Sequence, residues 1–190
     1  MENKPMKKIV FTIDDMYEGI YALSIVNQPA IEANFVALSK NNVMLKVDEE
    51  RKMLFGPVLI PDKEILRIDE KTGEEYVIVF PAETIVMAQQ MFFKKSHQND
   101  HTYEHQFKIE GLTVVESWIK ESEQDKSVHL GFDLPIGTLF FGTKVENEDA
   151  WDRVKSGEVK GFSIEGSFAE LSKHVDVVAE IESLIKSNQI

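Results

Sequence analysis

The chain has 190 residues, no cysteine, and a formal charge of −12 from 21 Lys and Arg against 33 Asp and Glu. That length suits one domain with extensions, and 43% hydrophobic residues are enough for a packed core. The acidic balance argues against duplex nucleic acid as a partner, because such binding needs clustered cations; the missing cysteine excludes disulfides, thiolate metal sites and thiol nucleophiles.

No apolar run near the start is long enough for a signal peptide, and none elsewhere reaches the roughly 18 residues of a membrane span. A cytoplasmic protein with no membrane contact is expected. Residues 9–13 make a short β-prone run. Residues 14–42 read as irregular or mixed, punctuated by Gly19, Pro29 and the Asn41-Asn42 pair. Residues 43–47 and 53–60 read as two strands joined by a polar hairpin loop. Pro57 lacks an N–H, so the second of these strands must be at an edge or carry a bulge.

Residues 76–80 form a compact apolar strand stopped by Pro81. The period then changes: Ile85, Ala88 and Met91 or Phe92 recur at helical spacing, Thr84 is a candidate cap, and Lys94-Lys95 suit a helix C-terminus. Residues 105–119 return to strand character, interrupted at Gly111. Strands over 128–132, 137–145 and 159–168 follow, with a helix from about 147 to 155 before the Ser156-Gly157 stop. Beyond 168, Leu171, Val175, Val178, Ile181 and Ile185 form one apolar helical stripe. Many strands and few helices predict an α+β fold with a β-barrel or sandwich core.

Five histidines stand out as candidates for chemistry: His97, His101, His105, His129 and His174. The first three lie four apart and on one helix would share a face able to bind zinc. The helical signal fades after Lys95, however, and no HExxH pattern is present. His105 opens the alternation His105, Phe107, Ile109, which in a strand places it on the apolar side. It is then either a hydrogen-bonded core residue or a general base held at one geometry. Ser163 lies in Gly161-Phe162-Ser163-Ile164-Glu165-Gly166. Alternation puts Ser163 and Glu165 on one strand face and Phe162 and Ile164 on the other. Ser163 is either a solvated serine or a nucleophile that needs a base. Glu116, inside an apolar run, is either an exposed residue of a half-buried strand or the acid that orients a histidine.

At these residues the chain resembles the phage prohead (capsid-maturation) serine proteases, in particular the XkdF-like branch. The likeness is carried by residues 21–32 and 35–38, by His105 with Gly111 and Val114-Val115-Glu116-Ser117, and most specifically by Trp151, Val154 and Gly157 leading into the Gly161–Gly166 block. The resemblance implies a herpesvirus-protease-like fold, with a β-barrel core and a few packed helices. It divides the chain into an N-terminal segment at 1–42 packing on or leading into the core, a protease core at 43–168 and a C-terminal amphipathic helix at 169–190. It implies a serine endopeptidase with Ser163 as nucleophile and His105 as base. Glu116 is ranked first as the third member and His174 second. Glu165 is set aside as too near Ser163 along the strand to reach the far side of His105. The implied substrates are scaffold protein and the major capsid protein, within the assembling procapsid in the host cytoplasm, with self-cleavage and self-association as further expectations and no cofactor or metal. The alternatives are a non-catalytic capsid- or scaffold-associated module of the same fold, and a zinc hydrolase built on His97, His101 and His105.

Overall fold

The computed structural model describes residues 6–30, 45–69 and 71–171. In chain order its elements are β1 (Lys7–Thr12), β2 (Gly19–Val26), β3 (Lys46–Asp48), β4 (Met53–Leu59), β5 (Ile65–Ile68), β6 (Glu75–Val79) and α1 (Ala82–Lys94). A short 3-10 turn, His97–Asn99, leads into β7 (His101–Tyr103), β8 (Phe107–Ile109), β9 (Leu112–Ile119) and α2 (Lys126–His129). β10 (Leu139–Val145), α3 (Glu148–Lys155), β11 (Gly161–Ser167) and β12 (Ala169–Glu170) complete the described chain.

The strands form three four-stranded sheets, in the orders β12-β1-β6-β5, β3-β4-β10-β9 and β11-β2-β7-β8. The α+β class is therefore as the sequence predicts. The closed barrel is not: among the described residues no sheet closes on itself. The reason is visible at Phe168. The ladder of β11 ends at Ser167, and the next strand, β12, pairs with β1 of another sheet. The corner between them is held by side chains, with the Phe168 ring 5.7 Å from Phe11 and 4.9 Å from Phe80.

One core joins the three sheets. It includes Leu23 and Ile25 of β2, Leu54 and Leu59 of β4, Phe141 of β10 and Phe162 of β11. Helix α1 closes it with Ile85, Ala88 and Phe92, the stripe read from the sequence. Phe92 and Phe141 meet at 4.9 Å, and burying a side chain of that size contributes roughly 1.5–3 kcal/mol. A smaller cluster of Met53, Phe55, Phe132 and Phe140 lies beside it.

Pro57 is placed as its chemistry requires. The pairing of β4 with β3 ends at Phe55, so Pro57 faces no ladder on that side. On the other side the β10 register shifts between Leu139 and Phe140, opposite Leu59 and Pro57, which is a bulge. Other expectations change. Residues 19–26, read as irregular, are the strand β2. The stretch 128–132, read as a strand, begins inside helix α2, because Asp125 caps that helix by accepting the Ser127 N–H at 2.8 Å. Thr84 is not a cap: Pro81 holds that position, and the Thr84 hydroxyl donates to the Phe11 carbonyl at 3.0 Å. The helical stripe of the tail beyond residue 171, and His174 with it, lies outside the described residues.

Candidate active site

The sheet β11-β2-β7-β8 carries the residues of interest. β2 lies at its centre, antiparallel to β11 and parallel to β7. Ser163 is directly opposite Ser24, and Ser24 is opposite Thr102, so the three side chains share a row and a face. Glu165, two residues beyond Ser163, lies on the same face opposite Ala22. The other face of β11 sends Phe162 into the core. The glycines bracketing this strand have steric reasons: a Cβ on Gly161 would lie 2.1 Å from Pro29 Cγ, and one on Gly166 would lie 2.8 Å from the Gly19 carbonyl oxygen.

The alternation places His105 on a strand, but in the structure His105 is not on one. It lies with Glu104 in the turn between β7 and β8, and both residues have positive φ, 51° for Glu104 and 58° for His105. Such a turn favours Gly or Asn, and here long-range bonds hold it. Glu104 N–H donates to the Ile25 carbonyl at 3.2 Å, and His105 N–H donates to Ser24 Oγ at 3.1 Å. The Glu104 carboxylate accepts the Asn27 N–H at 2.6 Å. All three bonds tie the turn to β2 and its end.

This placement directs the His105 ring back over the face that bears Ser163. Its Nδ1 lies 3.2 Å from Glu165 Oε1. Glu165 also accepts a hydrogen bond from the Thr102 hydroxyl. Ser163 is 7% exposed, while the side chains of His105 and Glu165 are 40% and 22% exposed, so the pair borders solvent and the serine lies beneath the surface.

Ser163 and His105 are thus brought to one face of one sheet. Glu116 is not beside them. It lies on β9 in a different sheet, opposite Gly142, and its carboxylate is paired with Lys126. The fold-back through Gly111 that would set Glu116 beside His105 does not occur, because β9 leaves the turn to pair with β10. The carboxylate at the histidine is Glu165, the residue that strand spacing had set aside. Spacing along β11 proved irrelevant, since His105 reaches Glu165 from two strands away. The three spaced histidines also diverge. His97 Nδ1 bonds Asp100 Oδ2 at 2.7 Å, His101 is fully buried, and His105 faces Glu165. Among the described residues no group of three or more His, Asp or Glu side chains is placed to hold a metal ion. Burial pushes the His101 imidazole down to about 4, with the Asn99 backbone and then the Asp100 carboxylate only partly opposing it.

A serine, a histidine and a carboxylate on one sheet face are the parts from which serine proteases are built. A protein-family model described as "Putative phage serine protease XkdF" matches residues 40–172, a span that holds His105, Glu116, Ser163 and Glu165. The chain belongs to that family. It is 26% identical over 138 residues to "Uncharacterized protein YqbD" of Bacillus subtilis (strain 168), an alignment covering 73% of this chain and 38% of that protein. The matched segment therefore spans well under half the length of this relative. No solved structure matches it.

Proposed function

We propose that the protein is a serine endopeptidase that uses Ser163 as nucleophile, His105 as general base and Glu165 as the acid that orients the histidine. It cleaves scaffold and capsid proteins during phage head maturation. The observation that carries this reading is the hydrogen-bond contact between His105 Nδ1 and Glu165, over the sheet face that bears Ser163.

A serine hydroxyl is a poor nucleophile until a base takes its proton. With Nδ1–H donating to Glu165, the lone pair of the imidazole is on Nε2. That nitrogen takes the Ser163 proton as Oγ attacks the peptide carbonyl, and Glu165 stabilises the imidazolium that forms. The imidazolium then gives its proton to the leaving amine. Water, deprotonated by the same nitrogen, hydrolyses the acyl-enzyme and restores Ser163. The Thr102 hydroxyl helps hold Glu165 in place. The family supports peptide-bond hydrolysis; scaffold and coat protein as substrates, cleavage of the chain itself, self-association and action inside the procapsid belong to the proposal.

A fluorophosphonate probe tests the chemistry: it labels Ser163 in the wild type and leaves Ser163→Ala unlabelled. Incubation with the phage's own scaffold and coat proteins, read by mass spectrometry of the fragments, tests the substrates. A folded wild-type chain that takes no label would make the protein a non-catalytic module of the procapsid.

A further inference from the structure

Beside β11 lies a cavity of about 200 Å³, and Ser163 is among the residues that line it. One wall is β11, through Phe162, Ile164 and Gly166. The facing wall is a single face of the β5–β6 pair. There Ile65 is opposite Ile78 and Arg67 is opposite Tyr76, and all four line the cavity. Among the described strands β11 is paired only through β2, which leaves its other edge without a ladder partner.

Arg67 is the anomaly in this apolar lining. It is half-buried, and the one side-chain hydrogen bond it makes among the described residues is donated by Nη1 to the carbonyl of its own neighbour, Leu66, at 2.9 Å. No carboxylate among the described residues pairs with it, although the chain carries 33 acidic residues. A guanidinium taken partly out of water is costly unless an anion meets it. Its planar fork suits a carboxylate. Apart from Arg67, Ser163 and Gly166 the cavity is lined by aliphatic and aromatic side chains, so the fitting ligand has an apolar stem and an anionic end. An extended peptide lying along the free edge of β11 presents alternate side chains to opposite faces, so that one set can enter the cavity that Ser163 and Arg67 both line.

We infer that Arg67 makes this cavity a subsite for an acidic side chain, glutamate above all, of a peptide bound in extended form along β11. The inference rests on the peptidase reading of Ser163 and adds the class of substrate. The overall charge of −12 does not oppose it at short range, because exposed charges beyond about 8–10 Å are screened at physiological salt, whereas Arg67 acts by direct contact.

The test uses the full-length chain and two matched sets of fluorescent peptides, identical except for Glu or Gln at each position in turn. Cleavage of the wild type should favour Glu over Gln at one position by at least tenfold. Arg67→Gln should abolish that preference, and Arg67→Lys should keep the larger part of it. Binding of the same peptides to Ser163→Ala, read by fluorescence anisotropy, gives the preference independently of turnover. Failure of the peptidase reading appears as no label on Ser163 and no cleavage of any peptide, while the anisotropy still reports on Arg67. Circular dichroism establishes that Arg67→Gln folds; if it does not, Arg67→Lys and the salt dependence of the wild-type preference decide. A Glu/Gln ratio near one at every position overturns the inference. So does a preference unchanged in Arg67→Gln, or binding of inorganic phosphate that competes with Glu and Gln peptides equally.

Discussion

His105 Nδ1 meets Glu165 Oε1 at 3.2 Å, although 60 positions of sequence separate the two residues. They belong to opposite sides of β2, and two strand spacings amount to roughly 10 Å. Small residues on that face of β2 make the contact feasible: Ala22 lies opposite Glu165, and Ser24 lies opposite Ser163. The two long side chains close over them.

From this contact, Glu165→Gln should lower kcat/KM by about 10²–10⁴ on a peptide substrate, as an acid-to-amide change does in such triads. Ser163 labelling by a small fluorophosphonate should slow in parallel. Glu116→Gln should stay within a few-fold, since it disturbs only the pair with Lys126. If Glu116→Gln loses activity and Glu165→Gln does not, the orienting role reverts to Glu116.

Ser24 accepts the His105 N–H at 3.1 Å, and its hydroxyl donates to the Thr102 carbonyl at 3.3 Å. Ser24→Ala should cost on the order of 1 kcal/mol of stability through the lost hydrogen bonds. Ser24→Val adds bulk between Ser163 and Thr102 and should lose far more activity than Ser24→Ala. Urea midpoints measured beside peptidase rates would separate the two effects; equal activity in both variants would show that the face above β2 is not the reaction site.

Gly161→Ala places a methyl 2.1 Å from the Pro29 ring, so strand and ring must move apart. The expected loss is about 1–3 kcal/mol, the usual range for forced overpacking. It should appear as a lower melting temperature. Val115→Thr, at a 53% exposed position, should stay within about 0.5 kcal/mol and serves as the control.

His101 makes the fold acid-sensitive. Its ordinary pKa of 6.5 falls to about 4 in the folded chain because it is buried. Above pH 6.5 it is neutral in both states and adds no pH dependence. As pH falls from 6.5 toward 4, the unfolded chain takes up a proton that the folded chain refuses, and stability drops. The full loss is about 3 kcal/mol. His101→Gln should flatten this part of the stability–pH curve, measured by urea unfolding between pH 7 and pH 4. An unchanged slope would mean that other groups set the acid response.

Periodicity made α1 and α3 legible, because each has an apolar stripe and a clear end. Asn147 caps α3 by accepting the Ala150 N–H at 2.9 Å, just where the helix was expected to start. The Gly161–Gly166 block was legible as a site strand because alternation sorts Ser163 and Glu165 from Phe162 and Ile164. What escaped was β2. Its core residues leave a nearly unbroken apolar run, bounded by Gly19 and by Asn27-Gln28-Pro29, and such a run lacks the alternation that marks a half-buried strand. Without β2 there was no frame on which His105 and Glu165 could be seen to converge. The left-handed turn at Glu104 and His105 was equally hidden, because neither residue favours that conformation and the bonds that impose it come from residues 24–27.

The central position of β2 also bears on timing. A chain made from its N-terminus acquires β2 first, the histidine turn much later, and the serine strand near the end of the described segment. Until β11 docks along β2, His105 has neither the Glu165 carboxylate nor Ser163 on its sheet face. Synthesis is slow beside strand pairing, so a nascent chain carries His105 without Glu165 and Ser163 until β11 has been made. On the proposed chemistry, the parts of the site meet only when β11 pairs with β2, so the order of the strands would keep a partly made chain inactive.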